Sequence, residues 1–258
     1  MEPAKKSLGQ YWLTDQQALE AIVDAAEIKP TDTVLEIGPG LGHLTGLLMN
    51  QAQDVIAVEF DTKLAARLEA KFAGRNLTIR QADILKFNLG DLPTAYKVVA
   101  NIPYYLTGNL LQMLAGAANP PTVMVLLVQK EVAQRITAKP GQMSVLAISL
   151  QLYYRTELGV VVPAKLFNPV PKVDSQVVIL QRHAKPLFHE LDTKKFFRLV
   201  KAGFSEKRKM LRSSLAGGLN ISKPQADSLL SSSGIAADAR AQELSLKQWY
   251  KLYQHLEG

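Results

Sequence analysis

Tyr96-Lys97-Val98-Val99-Ala100-Asn101-Ile102-Pro103-Tyr104 opens as an apolar run with β-branched residues and closes on an amide, a proline and an aromatic ring. The run predicts a strand that Pro103 brings to an abrupt end. Asn101-Ile102-Pro103-Tyr104 is thereby delivered to the carboxyl edge of a sheet, the edge at which open α/β sheets bind ligands. There an amide carbonyl accepts from an amino group and a ring stacks on a flat base. Taken alone, the tetrad is as readily an ordinary strand exit with Tyr104 filling a core.

Upstream, Thr33-Val34-Leu35-Glu36-Ile37-Gly38 predicts another strand, and Gly38-Pro39-Gly40-Leu41-Gly42 a glycine turn opening a helix through Leu44, Leu47 and Leu48. Glycines such as Gly38 and Gly40 let the backbone approach a ligand, and the helix start offers unpaired amides. The next strand, Val55 to Glu59, ends in an acid 21 positions after Gly38, where a carboxylate can hold both hydroxyls of a ribose. A third, Leu77 to Asp83, ends in a second acid, placed to read an adenine amino group with Ile84 beside it to pack on the ring. Either acid alone has the commoner fate of a cap or turn residue. Three such strand ends in succession point to an adenosine-containing cofactor. The dinucleotide pattern Gly-x-Gly-x-x-Gly fails because His43 takes the third glycine position, so a nicotinamide cofactor is the poorer choice.

The 258 residues are 47% hydrophobic and 21% charged, enough for one large domain and a small appendage. With no cysteine, disulfides and thiolate metal sites are excluded, and a cytoplasmic location is expected. His43, His183, His189 and His255 share no ligand spacing, so no metal site is expected. The N-terminus lacks an apolar segment, and Val123 to Val128 is too short to span a bilayer, so neither export nor membrane insertion is expected. The net charge is +7 and the pI about 9.4. From residue 183 onward there are 13 Lys and Arg against 7 Asp and Glu, and before it 17 against 16, so nearly all the excess is C-terminal.

Lys5 to Asp15 predicts an ordered arm, because Tyr11, Trp12 and Leu13 need burial, ahead of a helix over Gln16 to Ala26. After the central strand come a helix (Thr107 to Ala117), a buried strand (Thr122 to Val128), helices from Gln129 and over Ser144 to Tyr153, and strands over Glu157 to Val162 and Val173 to Gln181. Phe167 to Ser175, stiffened by two prolines, can hold Phe167 against a ligand or simply join two strands; sequence favours the connector. This order predicts a doubly wound, mostly parallel α/β sheet with an antiparallel last pair, then a small all-helical part. In that part Phe197, Val200, Phe204, Leu211 and Leu215 lie at helical spacing. Eight basic residues between Lys194 and Arg212 accompany the single acid Glu206, a pattern suited to a phosphate backbone.

Taken together, the Gly9-Gln10 arm, Glu36 to Thr45, Glu59-Phe60-Asp61, Asp83, Asn101 to Thr107, Gln129 to Arg135, Phe167 to Ser175 and Phe204 to Leu215 resemble the ribosomal RNA adenine dimethyltransferases of the kasugamycin-sensitivity type. The resemblance implies a Rossmann-like, seven-stranded class I methyltransferase domain over 1–183, a helical RNA-binding domain over 184–258, and S-adenosylmethionine as methyl donor. It further implies a monomer acting on small-subunit ribosomal RNA or the assembling small subunit. Carried over by position, Tyr11, Leu13, Gly38, Gly40, Glu59, Asp83, Ile84 and Asn101 hold the donor. Asn101, Tyr104 and Phe167 hold the target adenine, and Lys207, Arg208, Lys209 and Arg212 grip RNA. Tyr11 and Trp12 depart from the usual asparagine or histidine followed by phenylalanine, and Val170 replaces a frequent proline.

Overall fold

A computed structural model describes residues 10–206 and 208–257; the expected arm before Gln10, and Lys207, lie outside the described residues. The chain divides into two compact units, Met1–Gln134 with Tyr154–Arg182, and Arg135–Tyr153 with His183–Gly258.

The first unit is built on a seven-stranded sheet. In chain order it contains β1 (Trp12–Leu13), α1 (Gln16–Asp24), β2 (Thr33–Ile37), α2 (His43–Gln51), β3 (Asp54–Glu59), α3 (Thr62–Lys71), β4 (Leu77–Gln81), β5 (Lys97–Asn101), α4 (Thr107–Ala115) and β6 (Val123–Gln129). After α5 (Lys130–Ile136) and α6 (Val145–Gln151), it resumes with β7 (Tyr154–Val162), β8 (Phe167–Asn168) and β9 (Ser175–Arg182). The sheet order is β4-β3-β2-β5-β6-β9-β7; the first five strands are parallel, and β9 runs antiparallel between β6 and β7.

The chain winds outward from β2 through β3 to β4, then returns to place β5 on the other side of β2. The carboxyl ends of β2 and β5 are therefore the topological switch point, where an open sheet leaves a crevice. Sequence accounts for this centre: Val98, Val99 and Ala100 of β5 are fully buried, as a parallel strand covered on both faces requires. Helix α1 starts at Asp15, whose side chain accepts from Ala18 N–H at 2.9 Å, and it buries Ala18, Leu19, Ile22 and Val23 along one stripe. Lys97 opens β5 as a buried cation. Its Nζ pairs with Asp32 at 2.9 Å and donates to the carbonyls of Ala26 and Glu27, binding the end of α1 to the strand.

The second unit contains α6, α7 (Thr193–Gly203), α8 (Leu211–Leu219), α9 (Lys223–Ser232) and α10 (Leu246–Glu257). Its core gathers Phe196, Leu199, Leu211, Leu215, Trp249 and Leu252 with Ala147, Ile148 and Leu152. Those last three explain a departure from the sequence expectation. The boundary near residue 183 is one crossing between the units, but Arg135–Tyr153 also belongs to the helical unit. The apolar partners of α6 lie more than forty residues downstream, beyond what local periodicity reports. The basic stretch is divided between two helices: α7 stops at Gly203, Phe204 stacks on Trp249, and Leu211, the first residue of α8, donates its N–H to the Ala239 carbonyl.

Candidate active site

A cavity of about 380 Å³ opens at the carboxyl ends of β2, β3 and β5, within the size range of small-molecule sites. Its wall brings together Tyr11, Leu13, Gly38, Gly40, Glu59, Asp83, Ile84, Asn101 and Tyr104, so every residue expected at the donor site lines it.

One wall is backbone. Gly38 and Gly40 have φ of +65° and +57°, the left-handed region that side chains disfavour. A Cβ at Gly40 would also lie 2.4 Å from the Trp12 ring. Glu59, at the end of β3, is buried, and its carboxylate accepts from Gly40 N–H at 3.1 Å and Asp61 N–H at 2.9 Å. Burial pushes its pKa above the usual carboxylate range, against the pull of these two amides. The acid is thus fixed at the glycine turn. Asp83 serves in both ways that its sequence position allows: it faces the cavity, and its Oδ1 caps the turn that follows by accepting from Leu85 N–H at 3.0 Å.

The opposite wall consists of side chains. Asn101 closes β5, and its Nδ2 donates to the Tyr11 carbonyl at 3.3 Å. A carbonyl only accepts, so the NH₂ end of this amide must face the arm and Oδ1 lies on the other side. Tyr104 and Ser175 share a hydroxyl hydrogen bond of 2.8 Å, and burial holds the Tyr104 pKa above its usual value. The Tyr11 ring stacks on Tyr104 with centroids 5.4 Å apart and planes 26° apart.

Phe167 is placed elsewhere. Strand β8 pairs antiparallel with β1, Leu13 opposite Phe167 and Trp12 opposite Asn168, and both Phe167 and Leu13 are 3% exposed in one apolar core. The expected stacking of Phe167 on a base is not available in this conformation; Phe167 and Asn168 form a short strand, and residues 169–174 join it to β9 as the connector reading expected. A lone phenylalanine gains more from burial than from facing an open cavity. The arm is further tied to α2 by His43, whose Nδ1 bonds to the Leu13 carbonyl at 3.2 Å.

The cavity also includes residues that the sequence reading passed over. Glu36 is 1% exposed, its Oε2 has no hydrogen-bond partner, and burial, with a smaller push from Glu59, raises its pKa to about 8. A charged residue inside a buried strand, two positions before the glycine turn, was the available signal. Trp12, whose Nε1 is buried and unpartnered, also lines the cavity, as do the exposed rings of Phe60 and Tyr105.

In the helical unit, Arg208 is exposed on the connection between α7 and α8. Lys209 is paired with Glu206, and Arg212 lies 3.6 Å from Asp227. Two of the described cations expected on RNA therefore already have acid partners. Among the described residues no helix is long and apolar enough to cross a membrane, and no group of three or more acids or histidines is arranged for a metal.

The family model for ribosomal RNA adenine dimethylase matches residues 1–257. The chain belongs to this family. The dimethylase is 46% identical to "Ribosomal RNA small subunit methyltransferase A" of Dehalococcoides mccartyi strain CBDB1, over 99% of this chain and 89% of that one. It is 41% identical to the protein of the same name from a Picosynechococcus species, over 99% and 98%. Among solved structures it is similar to the 23S rRNA methyltransferase ErmE (TM-score 0.79, 28% identity, 96% of this chain and 100% of that one). It is equally similar to a dimethyladenosine transferase from Plasmodium falciparum (TM-score 0.79, 27% identity, 93% and 95%). The seven-stranded fold is that of the class I methyltransferases, and the activity is S-adenosylmethionine-dependent dimethylation of adenine in ribosomal RNA.

Proposed function

We propose that this dimethylase modifies small-subunit ribosomal RNA, placing both methyl groups on the exocyclic nitrogen of an adenine, and that it works as a cytoplasmic monomer during subunit assembly. Relatives named for the small subunit match at 40–46% identity over nearly the whole chain, against 28% for the 23S enzyme. The observation that carries the reading is the Asn101 amide, fixed by the arm so that its acceptor oxygen lies away from Tyr11, beside the Tyr104 ring in a cavity furnished with two strand-end acids.

The residues fit the donor. Two buried acids, Glu36 with an unpartnered oxygen and Glu59, line a cavity that would receive a ligand with cationic groups, and Ile84, Leu85 and Phe60 would supply apolar surface for its adenine. Glu59 would take the ribose hydroxyls and Asp83 the adenine amino group. Gly38, Gly40, Tyr11, Leu13 and Asn101 would surround the methionyl end. When bound, S-adenosylmethionine supplies a methyl group on a cationic sulfur.

The adenine amine is a poor nucleophile because its lone pair is delocalised into the ring. Asn101 Oδ1 and the Ile102 carbonyl accept its two hydrogens, which favours a pyramidal nitrogen with its lone pair free to attack. Tyr104 stacks on the unstacked base and sets its plane. No strong base is needed, since the surplus proton leaves after the nitrogen has become cationic; positioning and fixed dipoles do the rest. Arg208, Lys209 and Arg212, with Lys207, would neutralise RNA phosphates.

The test is transfer of labelled methyl from S-adenosylmethionine to purified, unmethylated small and large subunits, followed by nucleoside analysis. Dimethyladenosine in small-subunit RNA is the expected product. Label confined to large-subunit RNA would overturn the substrate assignment.

A further inference from the structure

Tyr11 touches both side chains of the acceptor wall, holding Asn101 through its amide nitrogen and leaving Oδ1 free, but covering the ring of Tyr104. The carbonyl of Tyr11 takes the Asn101 amide, and the ring of Tyr11 lies on Tyr104 at 5.4 Å. Resting on the proposed role of Tyr104 as base platform, we propose that the Tyr11 ring is a built-in stand-in for the target adenine: it occupies the face of Tyr104 that the base takes, and must turn aside before the base can enter.

Three features favour a stand-in over a permanent wall. A phenol ring and a purine offer the same kind of flat π surface, so Tyr104 can exchange one for the other without moving. Tyr104 itself is pinned through its hydroxyl to Ser175, which is fully buried on β9, so Tyr11 is the partner able to yield. Tyr11 also precedes the first paired residue of the arm. The β1–β8 ladder begins at Trp12 and the His43 anchor acts on Leu13, so the ring can rotate while both hold. The Asn101 bond runs to the Tyr11 backbone, and the amide can therefore keep its orientation while the side chain swings.

Such a device sets a threshold. A base enters only if it out-competes an intramolecular ring, which penalises weak stacking and shields the apolar face of Tyr104 from water between turnovers. It acts on base affinity, not on the methyl-transfer step.

Adenosine is the probe, titrated by calorimetry into enzyme saturated with S-adenosylhomocysteine so that the donor site is closed to it. Tyr11→Ala should bind adenosine roughly three- to tenfold tighter than the parent, the range expected from losing one aromatic pair. Tyr11→Phe keeps the stack and should match the parent; Tyr11→Trp, with a larger ring, should bind more weakly. Because Tyr11 also stands at the proposed methionyl end, the affinity of each variant for S-adenosylhomocysteine is measured first and the adenosine titration is run at a concentration that saturates that variant; thermal midpoints confirm folding. Should Tyr11→Ala misfold, the Phe and Trp variants still decide the matter through their order. Equal or weaker adenosine binding by folded Tyr11→Ala, or tighter binding by Tyr11→Trp, would overturn the proposal and make Tyr11 a support for Tyr104. Methyl transfer by the parent to small subunits is scored separately: its absence would count against the substrate assignment, while the adenosine series would still report on Tyr11.

Discussion

The wall of the cavity proposed for the donor is held by backbone, and the wall proposed for the target base by side chains. Gly38 and Gly40 take left-handed conformations, and the Gly40 and Asp61 amides fix Glu59, so little in that wall can move without unmaking the turn. Across the cavity, Asn101 is oriented by one bond of 3.3 Å and Tyr104 by one hydroxyl and one ring contact. A rigid wall suits a small diffusible donor that enters and leaves with every transfer. An adjustable wall suits a base that must be pulled from RNA and accepted twice, the second time carrying a methyl group.

The largest effect that would sharpen this contrast is expected on the adjustable side. Asn101→Ala removes the acceptor oxygen and should lower kcat/KM for small subunits roughly 10²–10³-fold, the scale seen when one preorganised polar group is deleted from a catalytic site. RNA affinity, followed by filter binding, should hardly change, because phosphate contacts dominate it. On the rigid side, Glu59→Ala should weaken S-adenosylmethionine binding by ~1–3 kcal/mol, since ribose hydroxyls lose a charged acceptor. Calorimetry reads this directly, and unchanged affinity would remove Glu59 from the donor wall.

Glu36 gives a smaller effect, tied to pH. Its carboxyl is buried and neutral at low pH, and burial raises its pKa from 4.5 to about 8. The native state thus holds this proton more tightly than the unfolded chain. The stability it contributes is fully present below about 4.5 and is lost as pH rises through about 8. Glu36→Gln keeps the shape without the titration, so the fall in thermal midpoint between these limits should be shallower than in the parent. Identical profiles would mean that Glu36 is not the buried acid responsible. The smallest effect is expected in the helical unit, where Arg208→Ala should reduce the log–log salt slope of RNA binding by about 1. Lys209→Ala and Arg212→Ala should do less, because Glu206 and Asp227 already partner these cations.

The same contrast explains which parts were legible in the sequence. The donor wall follows from local rules: glycines where φ is positive, acids at strand ends, and an apolar run for a strand buried on both faces. Positions 38, 40, 59 and 83, which the structure brings to one cavity, are therefore singled out without any knowledge of the fold. The acceptor wall depends on long-range pairing. That β8 would take up the arm as a partner strand, bury Phe167 and leave Tyr11 facing Tyr104 follows from packing between segments about 155 residues apart. The discontinuous helical unit escaped for the same reason, since α6 looks locally like one more helix covering the sheet. Glu36 was hidden in a strand whose other residues explain themselves by burial.

Single-turnover methyl transfer to unmethylated small subunits, with each variant saturated in donor, tests the division of labour most directly. Once the donor site is filled, Glu59→Ala should approach the parent rate, because its loss is one of binding. Asn101→Ala should remain slower by roughly 10²-fold or more, because the proposed role of its oxygen is to act on the amine as the new bond forms. A folded, donor-saturated Asn101→Ala enzyme that forms dimethyladenosine at the parent rate would contradict the assignment of Asn101 as the group that orients the target nitrogen.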